Sequence, residues 1–180
     1  MVIVAGLDLR ARSDKPTGIA FLEDNKLVFV SKTYTDEEII MLINRYNPLV
    51  IAIDAPLSHA KGFREVDKKM IRHGYRVLPP GWKSMRKLVS RALKIKNLLV
   101  SKGIHVIETH PRSSLKSSGC SIEKLLARIG INKEKIRHLS RDEIDAVIAA
   151  LTAYYYARGE YVSVKDVDGE IILLPRICST

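Results

Sequence analysis

Residues 49–54 constrain the fold more than any other stretch of the chain. They read Leu-Val-Ile-Ala-Ile-Asp, a continuous apolar run that ends on Asp54. A strand with one solvent-exposed face would alternate apolar and polar residues, whereas an unbroken apolar run is typical of a strand that is buried on both faces. The run therefore predicts a sheet with helices on both sides, an α/β architecture.

The elements around this strand indicate a mixed sheet. Three extended stretches come first and are predicted to pair as an antiparallel meander: Val2–Asp8, Gly18–Glu23 and Lys26–Lys32. Thr35 with Glu38, and Ser140 with Glu143, have the spacing of capping boxes that begin helices. Further helices are predicted at Phe63–His73, Ser84–Lys102, Ile122–Ile129 and Arg141–Arg158, and a further strand at His105–Glu108. The tail, 161–164 and 170–174, reads as a hairpin or as edge strands.

Length and composition predict one domain over residues 1–180. The longest apolar runs are much shorter than the ~20 residues of a membrane span. The first strand follows the start directly, without a basic leader, so we expect a cytoplasmic protein and no membrane partner. Two cysteines, Cys120 and Cys178, form no disulfide framework and are predicted to be thiols.

The positive charge of the chain lies in one segment. Of the net charge of +10, residues 61–102 carry +11 and the rest −1. Such a concentration is typical of a phosphate-binding surface, although a solvated helix face in a Lys-rich protein would look the same. Within the helix predicted at Ser84–Lys102, Lys87, Arg91 and Lys94 fall on one side together with Lys83.

Four acidic residues lie in apolar surroundings or on one helix face. Asp8 ends the first strand and Asp54 ends the continuous apolar strand, while Asp142 and Asp145 are three residues apart on a predicted helix. Converging carboxylates repel one another unless a cation neutralises them, and all-oxygen sites suit Mg²⁺ or Mn²⁺. The alternatives are that Asp142 complements the helix dipole and that Asp54 caps the segment after Pro56.

The same residues carry a resemblance to known proteins. Gly6-Leu7-Asp8-Leu9 followed by Thr17-Gly18-Ile19-Ala20 resembles the opening of the ribonuclease H-like superfamily, and Asp54-Ala55-Pro56 is similar to its fourth-strand acid. The segment 141–150 resembles the last helix of the Holliday-junction resolvase branch, although that branch usually has Glu where Asp54 stands.

Over nearly its full length the chain resembles a family of prokaryotic predicted nucleases with this fold. The resemblance implies a five-stranded sheet whose first three strands are antiparallel, and a Mg²⁺-dependent site at Asp8, Asp54 and Asp145. Arg64, Asp67 and the run from Glu108 to Pro111 also recur in that family. We expect Asp142 or Glu108 to assist the site, and Arg64 and His110 to contact substrate, although a lone His before proline is more often structural.

Three functions follow. The first is a nuclease in which Asp8, Asp54 and Asp145 hold Mg²⁺ or Mn²⁺ and cleave phosphodiester bonds. The second is a nucleic-acid-binding protein of the same fold without turnover. The third, a phosphotransferase of the actin-like ATPase class, fits less well, because those proteins need two such domains and the chain has no GK[ST] loop. The tyrosines at 154–156 are interpreted as packing residues, at a dimer contact if the protein is a homodimer.

Overall fold

A computed structural model describes residues 2–12 and 14–179 of the chain. Its strands are β1 (Ile3–Asp8), β2 (Thr17–Glu23), β3 (Lys26–Thr33), β4 (Val50–Ile53), β5 (His105–Thr109), β6 (Val162–Asp166) and β7 (Gly169–Leu173). Its helices are α1 (Asp36–Tyr46), α2 (Glu65–Arg72), α3 (Lys83–Ser101), α4 (Pro111–Ser118), α5 (Ile122–Ala127), α6 (Lys133–His138) and α7 (Arg141–Ala157). All elements surround one sheet.

The sheet has seven strands in the order β3-β2-β1-β4-β5-β7-β6. The meander β1 to β3 is antiparallel, as predicted, and β4, β5 and β7 follow parallel to β1. The prediction of five strands was wrong. The tail hairpin turns at residues 167–168 and joins the same sheet, because β7 pairs with β5 through Glu108↔Ile171 and Thr109↔Ile172.

The alternation of side chains along each strand sorts the core into two layers. Val4 of β1 and Ala52 of β4 pack under α7, whereas Leu7 and Ile53 pack under α1 and α3 on the opposite face. Asp8 lies four residues after Val4 on the same strand, so the two side chains point to the same face of the sheet. The chain therefore points Asp8 toward the face that α7 covers.

Two glycines let α7 lie directly on the sheet. A Cβ at Gly6 would be 2.1 Å from the carbonyl oxygen of Ala146, and a Cβ at Gly18 would be 2.0 Å from that of Asp142. Hydrogen is the only side chain that fits at either position. Because Gly18 pairs with Asp8 across the β1–β2 ladder, this close approach places the first turns of α7 beside Asp8.

Local signals fix the helix ends. Thr35 and Ser140 both form the predicted capping boxes, with Glu38 and Glu143, and the predicted long helices are confirmed to within two residues at each end. Helices α4 and α6 were not predicted. No described helix is both long and apolar enough to span a bilayer.

The prediction of two thiols was wrong. Cys120 and Cys178 form a disulfide that ties the segment after α4 to the C-terminal tail. The tail already runs along the end of α4, where the amides of Ile177 and Cys178 donate to the Ser118 carbonyl oxygen. The two cysteines are 58 residues apart in sequence. No rule of cysteine spacing predicts a pairing over that separation.

We predict that Gly6→Ala lowers the free energy of unfolding by about 3 kcal/mol, since the new methyl group overlaps backbone atoms of α7 that cannot move alone. Gly62→Ala is the matched control, because a Cβ there meets nothing within 4 Å, and its effect should stay within about 0.5 kcal/mol. Urea unfolding measures both. Equal stabilities of the two variants would contradict the packing described here.

Candidate active site

The carboxyl ends of three adjacent parallel strands bring acidic residues to one edge of the sheet. Asp8 ends β1, Asp54 directly follows β4, and Glu108 lies near the end of β5. The register aligns them, because the Asp54 amide donates to the Leu7 carbonyl oxygen at 2.8 Å and Ile53 pairs with Glu108. Ligand sites of open α/β sheets occur at this edge.

Helix α7 adds two more carboxylates to Asp8 and Asp54. Its first turns lie over Gly18, which places Asp142 and Asp145 above the end of β1. The carboxylates of Asp142 and Asp8 lie close enough for both to contact Nη2 of Arg10. The structure thus brings together the four acids that the sequence singled out, which we call the acid cluster.

Two cations contact the acid cluster: Arg141 pairs with Asp145 at 3.8 Å, and Arg10 binds two of the other acids. Arg10 lies within the acid cluster. Its Nη2 atom is 3.3 Å from Oδ2 of Asp8 and also forms an ion pair with Oδ1 of Asp142. The sequence analysis missed this residue, although it stands only two positions after Asp8. The spacing was a usable signal, since residues i and i+2 of an extended chain point to the same side.

Burial and mutual repulsion raise the pKa values of three of these acids. Desolvation raises the pKa of Asp8 to about 7, against the influence of Arg10 and with further increases from Asp145 and Asp142. The pKa of Asp54 is raised by burial and then by the charges of Asp8 and Asp145, and that of Asp145 is raised chiefly by burial. Arg10, together with Arg141 beside Asp145, therefore compensates the cluster only in part.

The donor chemistry of the acid cluster fits a hard divalent cation. Four carboxylates supply only oxygen ligands, and the carboxylate of Asp54 accepts no hydrogen bond from any residue that the structure describes. As the side chains stand, no three His, Cys, Asp or Glu residues among those described are arranged around a common ion position. The guanidinium of Arg10 occupies part of the space between these carboxylates, so a metal ion could bind there only if the Arg10 side chain turned away.

Glu108 belongs to a separate, buried network. Both of its oxygens accept hydrogen bonds from the guanidinium of Arg64, at 2.5 and 2.8 Å, and one also accepts from the Leu57 amide. Asp67 binds the other side of the same guanidinium. The side chain of Arg64 is 1% exposed. Arg64 thus binds Glu108 and Asp67, and Glu108 positions a loop. Substrate contact by Arg64 and an assisting role for Glu108 remain predictions, since both residues also line the cavity at this edge of the sheet.

The Arg64 network holds the loop that carries Asp54. Arg64 also donates to Ser58, whose hydroxyl donates to the Asp168 carbonyl oxygen, while the Asp168 carboxylate accepts from the amides of Glu65 and Val66 at the start of α2. The loop after β4, helix α2 and the tail hairpin are thus joined. Sequence reasoning missed Asp168, whose Asp-Gly pair signalled only a turn.

A cavity of about 220 Å³ opens at the edge of the sheet. Asp8, Asp54 and Glu108 line its polar side, Met85 and Leu88 of α3 line its apolar side, and His110 lies at its rim. Burial lowers the pKa of His110, so its ring is neutral at pH 7, and Nδ1 contacts the Ser113 hydroxyl at 2.6 Å. The cavity presents Asp8 and Asp54 of the acid cluster and a neutral imidazole to a ligand.

Similar folds occur in solved structures. RuvC of T. thermophilus in complex with Holliday junction substrate aligns with a TM-score of 0.60 at 17% identity, over 88% of this chain and 97% of that one. A second Thermus thermophilus RuvC structure gives 0.59 at 15%, with the same coverage. The fold is ribonuclease H-like. The predicted resemblance to the resolvase branch is confirmed at the level of fold. No protein-family model matches the sequence, and no curated protein matches it.

On this ribonuclease H-like fold, the predicted basic stripe of α3 divides into two kinds of residue. Arg91 turns inward, where it pairs with Asp36 and donates to the Arg10 carbonyl oxygen at 2.6 Å. These contacts give Arg91 a structural role, and its predicted contact with substrate remains a prediction. Lys87 is exposed, and Lys94 is 80% exposed with Asp36 at 3.9 Å, so both stay available to a ligand.

We predict that Asp8→Asn stabilises the metal-free protein at pH 8 by up to about 4 kcal/mol. The folded-state pKa of Asp8 is raised from 3.8 to about 7. The wild type therefore loses stability as the pH rises from about 4 to about 7, whereas asparagine has no charge to bury. Unfolding in urea with a chelator, across this pH range, measures the difference.

Glu134→Gln, which removes an exposed carboxylate from α6, is the control and should leave the pH profile of the wild type unchanged. An Asp8→Asn variant whose stability parallels that of the wild type from pH 4 to pH 8 would contradict the electrostatic description of the acid cluster.

Proposed function

We propose that this protein is a metal-dependent nuclease that cleaves phosphodiester bonds. One observation carries the proposal: Asp8 and Asp54 line one cavity, Asp145 lies close enough for its charge to act on both, burial raises the pKa of all three, and Arg10 and Arg141 compensate them only in part. Buried carboxylates that repel one another destabilise a fold, and they are typical of functional sites where a bound cation neutralises them. The similarity in fold to RuvC is in keeping with this proposal.

The roles of the residues follow from their positions. Asp8, Asp54 and Asp145 would hold Mg²⁺ or Mn²⁺, and Asp142 would keep Arg10 close when it moves. The bound ion would supply activation of water and stabilisation of the leaving oxygen. His110 remains a predicted substrate contact, and its neutral ring can accept a proton at the cavity rim. Glu108 and Arg64 hold the Asp54 loop in place.

A second candidate is a nucleic-acid-binding protein that performs no cleavage. The observation in its favour is the ion pair of Arg10 with Asp8 and Asp142, because a resident guanidinium can take the place of a metal ion. The two functions differ in one physical respect. Only the nuclease needs Arg10 to leave the acid cluster when a divalent cation is present.

The proposed substrate is nucleic acid. Lys87 and Lys94 extend along α3 from the cavity wall formed by Met85 and Leu88, so they can bind phosphates beside the cavity. A cytoplasmic location and a homodimer remain predictions. The Cys120–Cys178 disulfide is compatible with that location in a heat-adapted organism, where intracellular disulfides are common.

We predict that the wild type binds Mn²⁺ at millimolar concentration or tighter and, with Mn²⁺, cleaves at least one of four labelled probes: single-stranded DNA, duplex DNA, a four-way DNA junction or RNA. Asp8→Asn and Asp54→Asn should abolish both the heat of Mn²⁺ binding and the cleavage, since each removes an ion ligand. Titration calorimetry and gel analysis measure the two properties.

Glu134→Gln is the matched control, because it removes one exposed carboxylate from α6, outside the acid cluster, and should bind and cleave as the wild type does. A wild type that binds nucleic acid but gives no heat with millimolar Mn²⁺ would overturn the nuclease proposal and establish the second candidate.

A further inference from the structure

A second cavity, of about 510 Å³, lies next to the acid cluster. It is bounded by the segment after α2 and by the start of α4, and the residues that line it include Tyr75, Arg76, His110, Arg112 and Lys116. Three of these residues carry a positive charge, and none carries a negative one. We call it the basic cavity. Its volume is within the range of cavities that accept small ligands.

The basic cavity and the acid-cluster cavity meet at a shared wall. Val77, Leu78 and His110 line both of them. A ligand that extends past His110 would therefore contact the acid cluster at one end and the basic cavity at the other.

The charges in the basic cavity are not used to hold the fold together. Arg76 and Arg112 are exposed, and neither forms an ion pair with a carboxylate among the residues that the structure describes. Lys116 is the exception, since its ammonium donates to the Gly74 carbonyl oxygen at 2.8 Å and lies over the ring of Tyr75. Two guanidinium groups thus remain available to an anion.

Arg112 stands where helix energetics disfavour a cation. It follows Pro111 in the first turn of α4, which has no acidic residue there and no side-chain cap. A positive charge at a helix N-terminus opposes the helix dipole, at a cost of several tenths of a kcal/mol. An anion in the cavity would reverse this cost, because the helix end and the guanidinium would both attract it.

We propose that the basic cavity binds a backbone phosphate of the same nucleic-acid strand that is cleaved at the acid cluster. This inference rests on the proposed function and adds a direction to it: the strand passes from Asp8 and Asp54 over His110 to Arg76 and Arg112. Guanidinium groups are suited to this role because they bind phosphate oxygens in pairs. Helix α3, which carries Lys87 and Lys94, lines the acid-cluster cavity through Met85 and Leu88 and does not line the basic cavity.

The test is the binding of a fluorescein-labelled single-stranded DNA, measured by anisotropy in EDTA at several salt concentrations. In Arg76→Ala/Arg112→Ala the phosphate contact in the basic cavity is lost, so binding should weaken and the slope of log K against log salt should fall by about 0.7. Arg76→Lys/Arg112→Lys keeps both charges and should retain the slope of the wild type. Neither arginine side chain bonds to the described fold, so the variants should unfold at the wild-type temperature.

Lys26→Ala/Arg128→Ala is the matched control, because it also removes two positive charges. Lys26 begins β3, and Arg128 follows α5, where its carbonyl oxygen accepts from Asn25 of the β2–β3 turn. Both therefore lie at the opposite end of β1 from Asp8. The control should bind with the slope of the wild type. If Arg76→Ala/Arg112→Ala does the same, the inference is overturned while the proposed function stands. If the wild type itself binds no DNA or RNA probe, both are overturned.

Discussion

The contact between the backbone of α7 and the glycines of β1 and β2 determines the rest of this structure. A helix that packs on a sheet through side chains lies about 10 Å from it. Here Gly6 and Gly18 present no side chain, and the carbonyl groups of Ala146 and Asp142 occupy the space that a Cβ would need. The first turns of α7 therefore lie beside the end of β1, close enough for Asp142 and Asp8 to share one guanidinium nitrogen.

The acid cluster lowers the stability of the folded chain, and contacts elsewhere in the fold offset this loss. Raised pKa values at Asp8, Asp54 and Asp145 mean that the folded chain is less stable with these groups ionised than with them protonated. The Arg64–Asp67–Glu108 network fixes the loop that carries Asp54, and it does so with fully hydrogen-bonded charges. Removing one partner of such a buried set leaves an uncompensated charge, which is why the three residues form a unit.

Sequence reasoning located the acids because their surroundings were informative. Asp8 and Asp54 end apolar strands, and strand ends in a parallel sheet meet at one edge. Sequence reasoning failed where an element depends on contacts with residues that are distant in sequence. Helix α4 reads Pro-Arg-Ser-Ser-Leu-Lys-Ser-Ser, a weak helix former, and its Ser114 is bonded to Thr109 and Thr152, which no local pattern reveals. Arg91 has the spacing of a surface residue, yet it reaches Asp36 from another helix.

The central claim is that the acid cluster is a site for a divalent cation which Arg10 vacates. A crystal structure of the protein grown with Mn²⁺, with anomalous data collected at the manganese edge, tests it directly. The account predicts an anomalous peak about 2.1 Å from carboxylate oxygens of Asp8 and of Asp54 or Asp145, with the guanidinium of Arg10 turned out of the cluster. An Arg10 side chain still bound to Asp8 and Asp142, with no peak at saturating Mn²⁺, would contradict it.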